Sequence, residues 1–177
     1  MMSETETLKP SSIRIAGVVR ESIVDGPGIR FTVFCQGCPH GCPGCHNPDT
    51  HSFDGGYDCS IDKILGEIDK NPLLAGVTFS GGEPMCQPEA FLELAKEVKK
   101  RKLDIVIFSG YTFEELTEMS KERASIGELL DLADYLIDGR FFQSERDLSL
   151  TFRGSRNQRF IDLKKSKEAG CLVTAEQ

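Results

Sequence analysis

The sequence predicts an α/β protein, an incomplete β/α barrel built as a mostly parallel sheet with helices outside it. Three observations carry that expectation. Strand-like and amphipathic helical segments alternate along the chain, as a parallel sheet covered by helices requires. The run Ile105-Val106-Ile107-Phe108 is wholly apolar, which suits a strand buried on both faces. The chain has 177 residues, too few for a closed eight-fold barrel, which takes about 250.

Residues 13–19 alternate apolar and other side chains and read as a first short strand. Val24-Asp25-Gly26-Pro27-Gly28 then demands a turn, because Asp-Gly and Pro-Gly pairs break regular structure. Residues 29–35, rich in Phe and β-branched side chains, form the next strand, and residues 36–50 hold too many breakers to be regular. A helix is expected over 61–69, where Ile61, Ile64, Leu65 and Ile68 share a face. Residues 76–80 read as a buried strand that runs into Gly81-Gly82-Glu83-Pro84. An amphipathic helix follows over 88–102, with Phe91, Leu92, Leu94 or Ala95, and Val98 along one side. Next come a strand over 103–109 and a helix over 112–120, with Thr112 as N-cap and Glu115 three residues on. A helix over 126–133 and a strand over 135–137 complete the regular pattern. Beyond residue 141 it weakens, and 148–152 and 159–163 read as short strands. The organisation expected is a polar tail over 1–12, one domain over 13–165 and a C-terminal tail over 166–177. In open α/β sheets functional groups gather at the C-terminal ends of strands. The cysteine loop, 80–84, 109–111 and 138–140 all follow strands, so they should meet on one rim.

Composition narrows the function classes. Hydrophobic residues make up 39% of the chain, an ordinary share for a soluble globular domain, and no apolar run approaches the roughly 20 residues of a membrane helix. The N-terminus lacks the basic start and apolar run of a secretion signal, so the cytoplasm is the expected compartment. A net charge of −7 argues against nucleic acid, which asks for a concentrated basic face. The basic stretches 99–102 and 153–159 carry no interleaved stacking aromatics. Seven cysteines, an odd count in a chain of that compartment, do not read as a disulfide framework.

Four of those cysteines, Cys35, Cys38, Cys42 and Cys45, fall close together, and His40, His46 and His51 lie in or just after them. Cys38, Cys42 and Cys45 have the spacing C-x3-C-x2-C. Three thiolates on a short loop can cap three irons of a cubane and leave the fourth open. Glycine and proline permit the tight wrap. Other readings stand beside it: a four-thiolate zinc site, for which the spacer between the cysteine pairs is short, and a ferredoxin-like cluster using all four thiolates. Cys35 reads best as a small buried residue ending a strand, and the histidines as loop residues. Cys59, Cys86 and Cys171 have no motif context.

Val24-Asp25-Gly26-Pro27-Gly28-Ile29-Arg30, followed by that cysteine spacing, resembles the glycyl-radical-enzyme activases of the radical SAM superfamily. Ser80-Gly81-Gly82-Glu83-Pro84 matches the superfamily's second motif. Ser109-Gly110-Tyr111-Thr112 and the segments 136–141, 146–150 and 152–159 are similar to the branch that activates anaerobic ribonucleoside-triphosphate reductase. His46-Asn47 resembles the pyruvate formate-lyase activase as much. The resemblance spans roughly residues 13 to 163.

The resemblance implies a radical SAM domain with a [4Fe–4S] cluster on Cys38, Cys42 and Cys45 and S-adenosylmethionine (SAM) chelated at the open iron. Reductive cleavage would give a 5′-deoxyadenosyl radical that takes the α-hydrogen of one glycine in the reductase, the protein substrate. A flavodoxin or ferredoxin is the implied electron donor. Gly44 and His46 flank the last ligand, where the family binds adenine through main-chain groups. Gly81 and Gly82 would bring backbone close to the methionyl ammonium, and Glu83 would offer it a carboxylate; a plain turn before a helix is compatible with the same glycines. Asp138 and Arg140 stand where the activases carry an Asp-x-Lys pair, and Arg140 reads either as a fork for the methionyl carboxylate or as a surface ion pair. Asp25 reads either as a contact for the incoming glycine loop or as a turn former. Rival functions are activation of another glycyl-radical enzyme such as pyruvate formate-lyase, a small-molecule radical SAM reaction, and a non-enzymatic iron–sulfur or zinc module.

Overall fold

The computed structural model describes residues 9–175. Its elements in chain order are β1 (Ser12–Ser22), β2 (Arg30–Cys35), β3 (Tyr57–Ser60), α1 (Ile61–Asp69), β4 (Gly76–Gly81), α2 (Pro88–Lys100), β5 (Asp104–Phe108), α3 (Phe113–Met119), α4 (Ala124–Leu132), β6 (Tyr135–Asp138), β7 (Arg159–Asp162) and α5 (Leu163–Ala169). They build one open seven-stranded sheet in the order β3-β1-β2-β4-β5-β6-β7. The central strands β2, β4, β5 and β6 run parallel. The flanks are antiparallel, β1 on β2, β3 on β1 and β7 on β6, so the sheet is an incomplete barrel with a parallel centre. Among the described residues no helix is long and apolar enough to cross a membrane.

The alternation of side chains along each strand gives the sheet two unlike faces. Phe31 and Val33, Val77 and Phe79, Ile105 and Ile107 enter the main core, where Phe91, Leu94 and Val98 of α2 are also buried. Between them, on the other face, stand Arg30, Thr32 and Phe34, Thr78 and Ser80, Val106 and Phe108. That face has only a small apolar cluster of Val106, Ile137 and Phe160. The helices begin where local chemistry fixes them. Ser60 accepts from the Lys63 amide at 3.0 Å to start α1, and Thr112 and Glu115 form the full capping box of α3.

Some expectations need correction. The strand β3 was not foreseen, since of its four residues only Cys59 is buried. Residues 148–152 form turns rather than a strand. The boundary expected at 165 falls inside α5, and the chain beyond it returns to the sheet. The Val173 amide donates to Ser166 Oγ at 2.8 Å, and Thr174 bridges Ile161. The polar tail expected over 1–12 lies outside the described residues as far as residue 8, and Ser12 already belongs to β1.

Arg30 closes the bottom of the concave face. It is wholly buried. Its Nε donates to Thr78 Oγ1 at 2.7 Å, Nη1 to the Pro27 carbonyl at 2.8 Å, and Nη2 to Asp104 Oδ1 at 2.5 Å. One guanidinium thus ties the starts of β2 and β5 to the turn before β2, in the forked geometry that arginine offers. Removing one partner of a buried ion pair is far more costly than never having had the pair. Arg30→Met should therefore lower stability by about 3 kcal/mol in urea denaturation. A loss below about 1 kcal/mol would show that the guanidinium matters no more than a surface pair.

Candidate functional site

At the C-terminal ends of the parallel strands the loops enclose a cavity of about 760 Å³. Cys38, Cys42 and Cys45 form part of its wall, facing Gly81, Gly82 and Gly110 at the rim of the sheet. The expected convergence of loops on one rim is what the structure shows.

The cysteine loop is held at both ends by backbone. The Gly37 amide donates to the Thr50 carbonyl at 2.7 Å and the Cys38 amide to the His51 carbonyl at 3.1 Å. Further on, the Cys45 amide donates to the Cys42 carbonyl at 3.2 Å, and the Asn47 amide to Cys45 Sγ at 3.4 Å. The loop is then stitched to the glycine motif. The Gly82 amide donates to the Cys35 carbonyl at 2.9 Å and the Glu83 amide to the Gly37 carbonyl at 2.8 Å. Only glycine permits this approach. Gly81 has φ +95°, and a Cβ there would stand 2.5 Å from the Cys35 amide nitrogen.

All three thiols are free and half-buried on the cavity wall. Burial pushes the Cys38 thiol above its ordinary value, against a backbone hydrogen bond from His40 that lowers it. Among the described residues no three cysteine, histidine or acidic side chains converge on one ion-sized point. A cubane does not ask for that, because each thiolate caps a different iron. The donor set, free sulfurs on a loop that turns through left-handed Gly41 and Gly44 (φ +60° and +76°), fits such a cluster. Cys35 lies elsewhere. Its side chain is in the main core and burial raises its thiol well above the ordinary value. Cys86 is pushed up to about 11, chiefly by burial and then by Glu83 and Cys38.

The remaining candidates divide. Asp25, His46, Gly81, Gly82 and Arg140 line the cavity. Asp25 Oδ2 accepts from Ser22 Oγ at 2.5 Å and Thr32 Oγ1 at 3.2 Å, which fixes it near the floor. The His46 ring rests 5.3 Å from Phe141. Arg140 stands 3.5 Å from Glu115 and 5.8 Å from the Tyr111 ring centre. Gly44 is exposed and off the wall, beside Gln143 and Phe141.

Two carboxylates do not face the cavity as expected. Glu83 is wholly buried, and its oxygens accept from His40 Nε2 at 2.6 Å, Gly110 N at 2.8 Å, Ser109 Oγ at 2.9 Å and Met85 N at 3.1 Å. Asp138 accepts from the Phe113 amide at 2.7 Å and twice from Arg159, at 3.0 and 2.5 Å. It anchors α3 and β7 to β6. A buried carboxylate needs such donors more than a ligand does.

Sequence reasoning missed His40 and the strip 150–154, Arg153 included, all on the cavity wall. His40 looked like one loop histidine among three. The strip was noticed only as a motif without a role. Phe152 within it takes the left-handed backbone (φ +63°), unusual for a bulky side chain, and its ring packs 5.5 Å from Phe160.

Comparison with known proteins bears on this geometry. A family model described as a 4Fe–4S single cluster domain matches residues 24–161. The anaerobic ribonucleoside-triphosphate reductase-activating protein of Vibrio cholerae is 38% identical over 144 residues, covering 77% of this chain and 89% of that protein. The pyruvate formate-lyase-activating enzyme of Clostridium pasteurianum is 36% identical over 132 residues, covering 71% of this chain and 55% of that one. The solved structure of QueE from Escherichia coli shares 19% identity with a TM-score of 0.45, covering 57% of this chain and 53% of that one, a likeness too slight to carry weight.

The close approach of Gly81 to Cys35 is open to test. Gly81→Ala should cost about 2 kcal/mol or more in denaturant stability and lower the iron taken up on reconstitution. Gly17→Ala, where a Cβ meets nothing within 4 Å, is the control and should shift stability by less than about 0.5 kcal/mol. Equal behaviour of the two would refute the packing constraint.

Proposed function

The chain belongs to the family of anaerobic ribonucleoside-triphosphate reductase-activating proteins, and from that premise we propose that it is a radical SAM activase that installs a glycyl radical on such a reductase. The observation that supports this most is the placement of three free thiols and the Gly81-Gly82 backbone around one cavity. Its volume, about 760 Å³, falls within the roughly 300–1,000 Å³ typical of small-molecule sites.

Bound there, a reduced [4Fe–4S] cluster and SAM would supply reductive cleavage of a sulfonium and a carbon radical able to take hydrogen from glycine. The chain's own residues do the rest. Cys38, Cys42 and Cys45 hold the cluster at the rim. Gly81 and Gly82 leave room for the methionyl group against bare backbone. Of the two guanidiniums on the wall, Arg140 is assigned to its carboxylate, and its long contact with Glu115 is one it can exchange. His46, on the wall, is the residue assigned to the adenine, while Gly44 lies off the wall and shapes the loop through its left-handed backbone. Asp25, at the floor, is the polar group that an incoming glycine-bearing segment would meet. Asp138 is left out of these contacts, since its oxygens are already occupied.

The reductase is preferred as partner over pyruvate formate-lyase because the match spans 89% of the Vibrio protein but 55% of the lyase-activating enzyme. A flavodoxin or ferredoxin is the proposed electron donor.

The test is anaerobic. After reconstitution with iron and sulfide and reduction with dithionite, added SAM should yield 5′-deoxyadenosine, and a Cys42→Ala variant should yield none. A glycyl radical should then appear by EPR on the reductase and not on pyruvate formate-lyase. A bound zinc ion with no SAM cleavage would return the protein to the class of metal-binding modules.

A further inference from the structure

His40 and Glu83 form a pair that the proposed reaction leaves without a task. Their side chains are 4% and 0% exposed and 2.6 Å apart. Each Glu83 oxygen already has a second kind of donor: Oε1 accepts from the Gly110 amide at 2.8 Å, and Oε2 from Ser109 Oγ at 2.9 Å and the Met85 amide at 3.1 Å. Glu83 thus joins the ends of β4 and β5 by itself, and His40 is the cysteine loop's contribution to that junction. The imidazole also stands edge-on to Tyr111, with ring centres 4.5 Å apart at 73°. Any side chain at Gly110 would strike it, so the rim of β5 is shaped around the ring.

The location in the loop matters more than the pair itself. His40 lies two residues from Cys38 and two from Cys42. The loop's ends are fastened by the backbone bonds already described, Gly37 to Thr50 and Cys38 to His51, whereas the bonds of Cys45 and Asn47 stay within the loop. Among the described residues His40 makes the one side-chain hydrogen bond of the arm 39–44. A buried polar ring in a breaker-rich arm is retained only if it is bonded, and the bond made here crosses to another strand's end.

We infer that His40 is a positioning residue, which through Glu83 sets where the cluster stands relative to Gly81 and Gly82. This rests on the cluster and SAM reading given above. Without the His40 donor the three thiolates would still collect iron, because the loop's ends remain fastened. The cluster would stand off-register from the glycine backbone, and SAM would bind it less well.

The experiment compares His40→Phe, which keeps the ring and the stacking but has no donor, with His40→Gln, which keeps an N–H. Each is reconstituted anaerobically, its iron and sulfide are counted, and the EPR spectrum of the reduced cluster is followed as SAM is added. Melting of the iron-free proteins is recorded alongside. Both variants are expected to fold and to take up iron like the unsubstituted protein. The SAM concentration for half of the spectral change should rise about tenfold in His40→Phe, the scale of one hydrogen bond to a charged group. It should stay within about threefold of the unsubstituted value in His40→Gln. A His40→Phe protein that titrates normally, that fails to fold or that loses its iron overturns the inference, as does a His40→Gln protein no better than His40→Phe. An unsubstituted protein that takes up iron yet gives no SAM-dependent spectrum removes the underlying reading, and this one with it.

Discussion

β2 and β4 pair in parallel from Arg30 opposite Gly76 to Cys35 opposite Gly81, and the pairing does not end with the strands. Beyond them the amides of Gly82 and Glu83 donate to the carbonyls of Cys35 and Gly37. The cysteine loop and the glycine motif, 46 residues apart from Cys35 to Gly81, are therefore in register before either meets a ligand. Side chains on a strand alternate with a period of two, so a slip of one residue would exchange the faces. Phe31, Val33 and Cys35 would leave the core, and Arg30 and Thr32 would enter it. The apolar face of β2 thus enforces the position of Cys38, although none of the three loop thiols takes part in the folding of the strand.

One face of this sheet is covered by helices and the other is left to loops. That is why the concave face carries Arg30, Thr32, Thr78 and Ser80 where a sheet buried by helices on both sides would carry aliphatics. The hydroxyls are used. Thr78 Oγ1 accepts from Arg30 and donates to the Asp25 carbonyl at 2.8 Å, so the turn at 25–28 is pinned as a floor. At the open side, where further strands would close a full barrel, residues 141–158 fold back and supply the wall with Leu150, Phe152, Arg153 and Gly154.

Much of this was legible in the sequence, and the limits have physical causes. α1 matches its expected bounds because a good N-cap and four apolar residues at helical spacing are local signals. The capping box of α3 is equally local. β3 has no pattern in the sequence because it is an edge strand with one buried residue, and its pairing partners lie 42 to 48 residues back, Ser12 against Ser60 to Ile15 against Tyr57. The boundary expected at 165 cuts α5, because the place of that helix depends on the bridge from Ile161 to Thr174. At the site, spacing revealed the three thiols and the glycines, since both follow from backbone and ligand chemistry. It could not reveal that Glu83 turns inward, because the donors that capture it, His40, Ser109 and Gly110, come from two other loops.

Glu83 and Asp138 belong to a wider pattern. Buried ionisable groups stand at both ends of the parallel sheet, Arg30 and Asp134 at the bottom, Glu83 and Asp138 at the rim. Each reaches beyond the ladder it stands on to a turn, a helix or a loop. Asp134, for example, accepts from Lys99 of α2 and the Ile105 amide, both at 2.8 Å, and from Lys164 of α5 at 2.6 Å. Buried ion pairs add little net stability over apolar replacements, so energy alone does not explain four such centres. Geometry does. An apolar contact tolerates sliding, whereas a carboxylate with three or four donors accepts one arrangement of the segments that supply them. At the rim this has a chemical consequence. With Glu83 and Asp138 engaged, no carboxylate of the β4 or β6 ends is left to compete with the thiolates for iron or to add charge beside them. The end of β4 meets the cavity as bare glycine backbone, and the wall carries the guanidiniums of Arg140 and Arg153 against one carboxylate, Asp25, which already accepts from Ser22 and Thr32. That wall suits a ligand bearing its own carboxylate better than it would suit a bare cation.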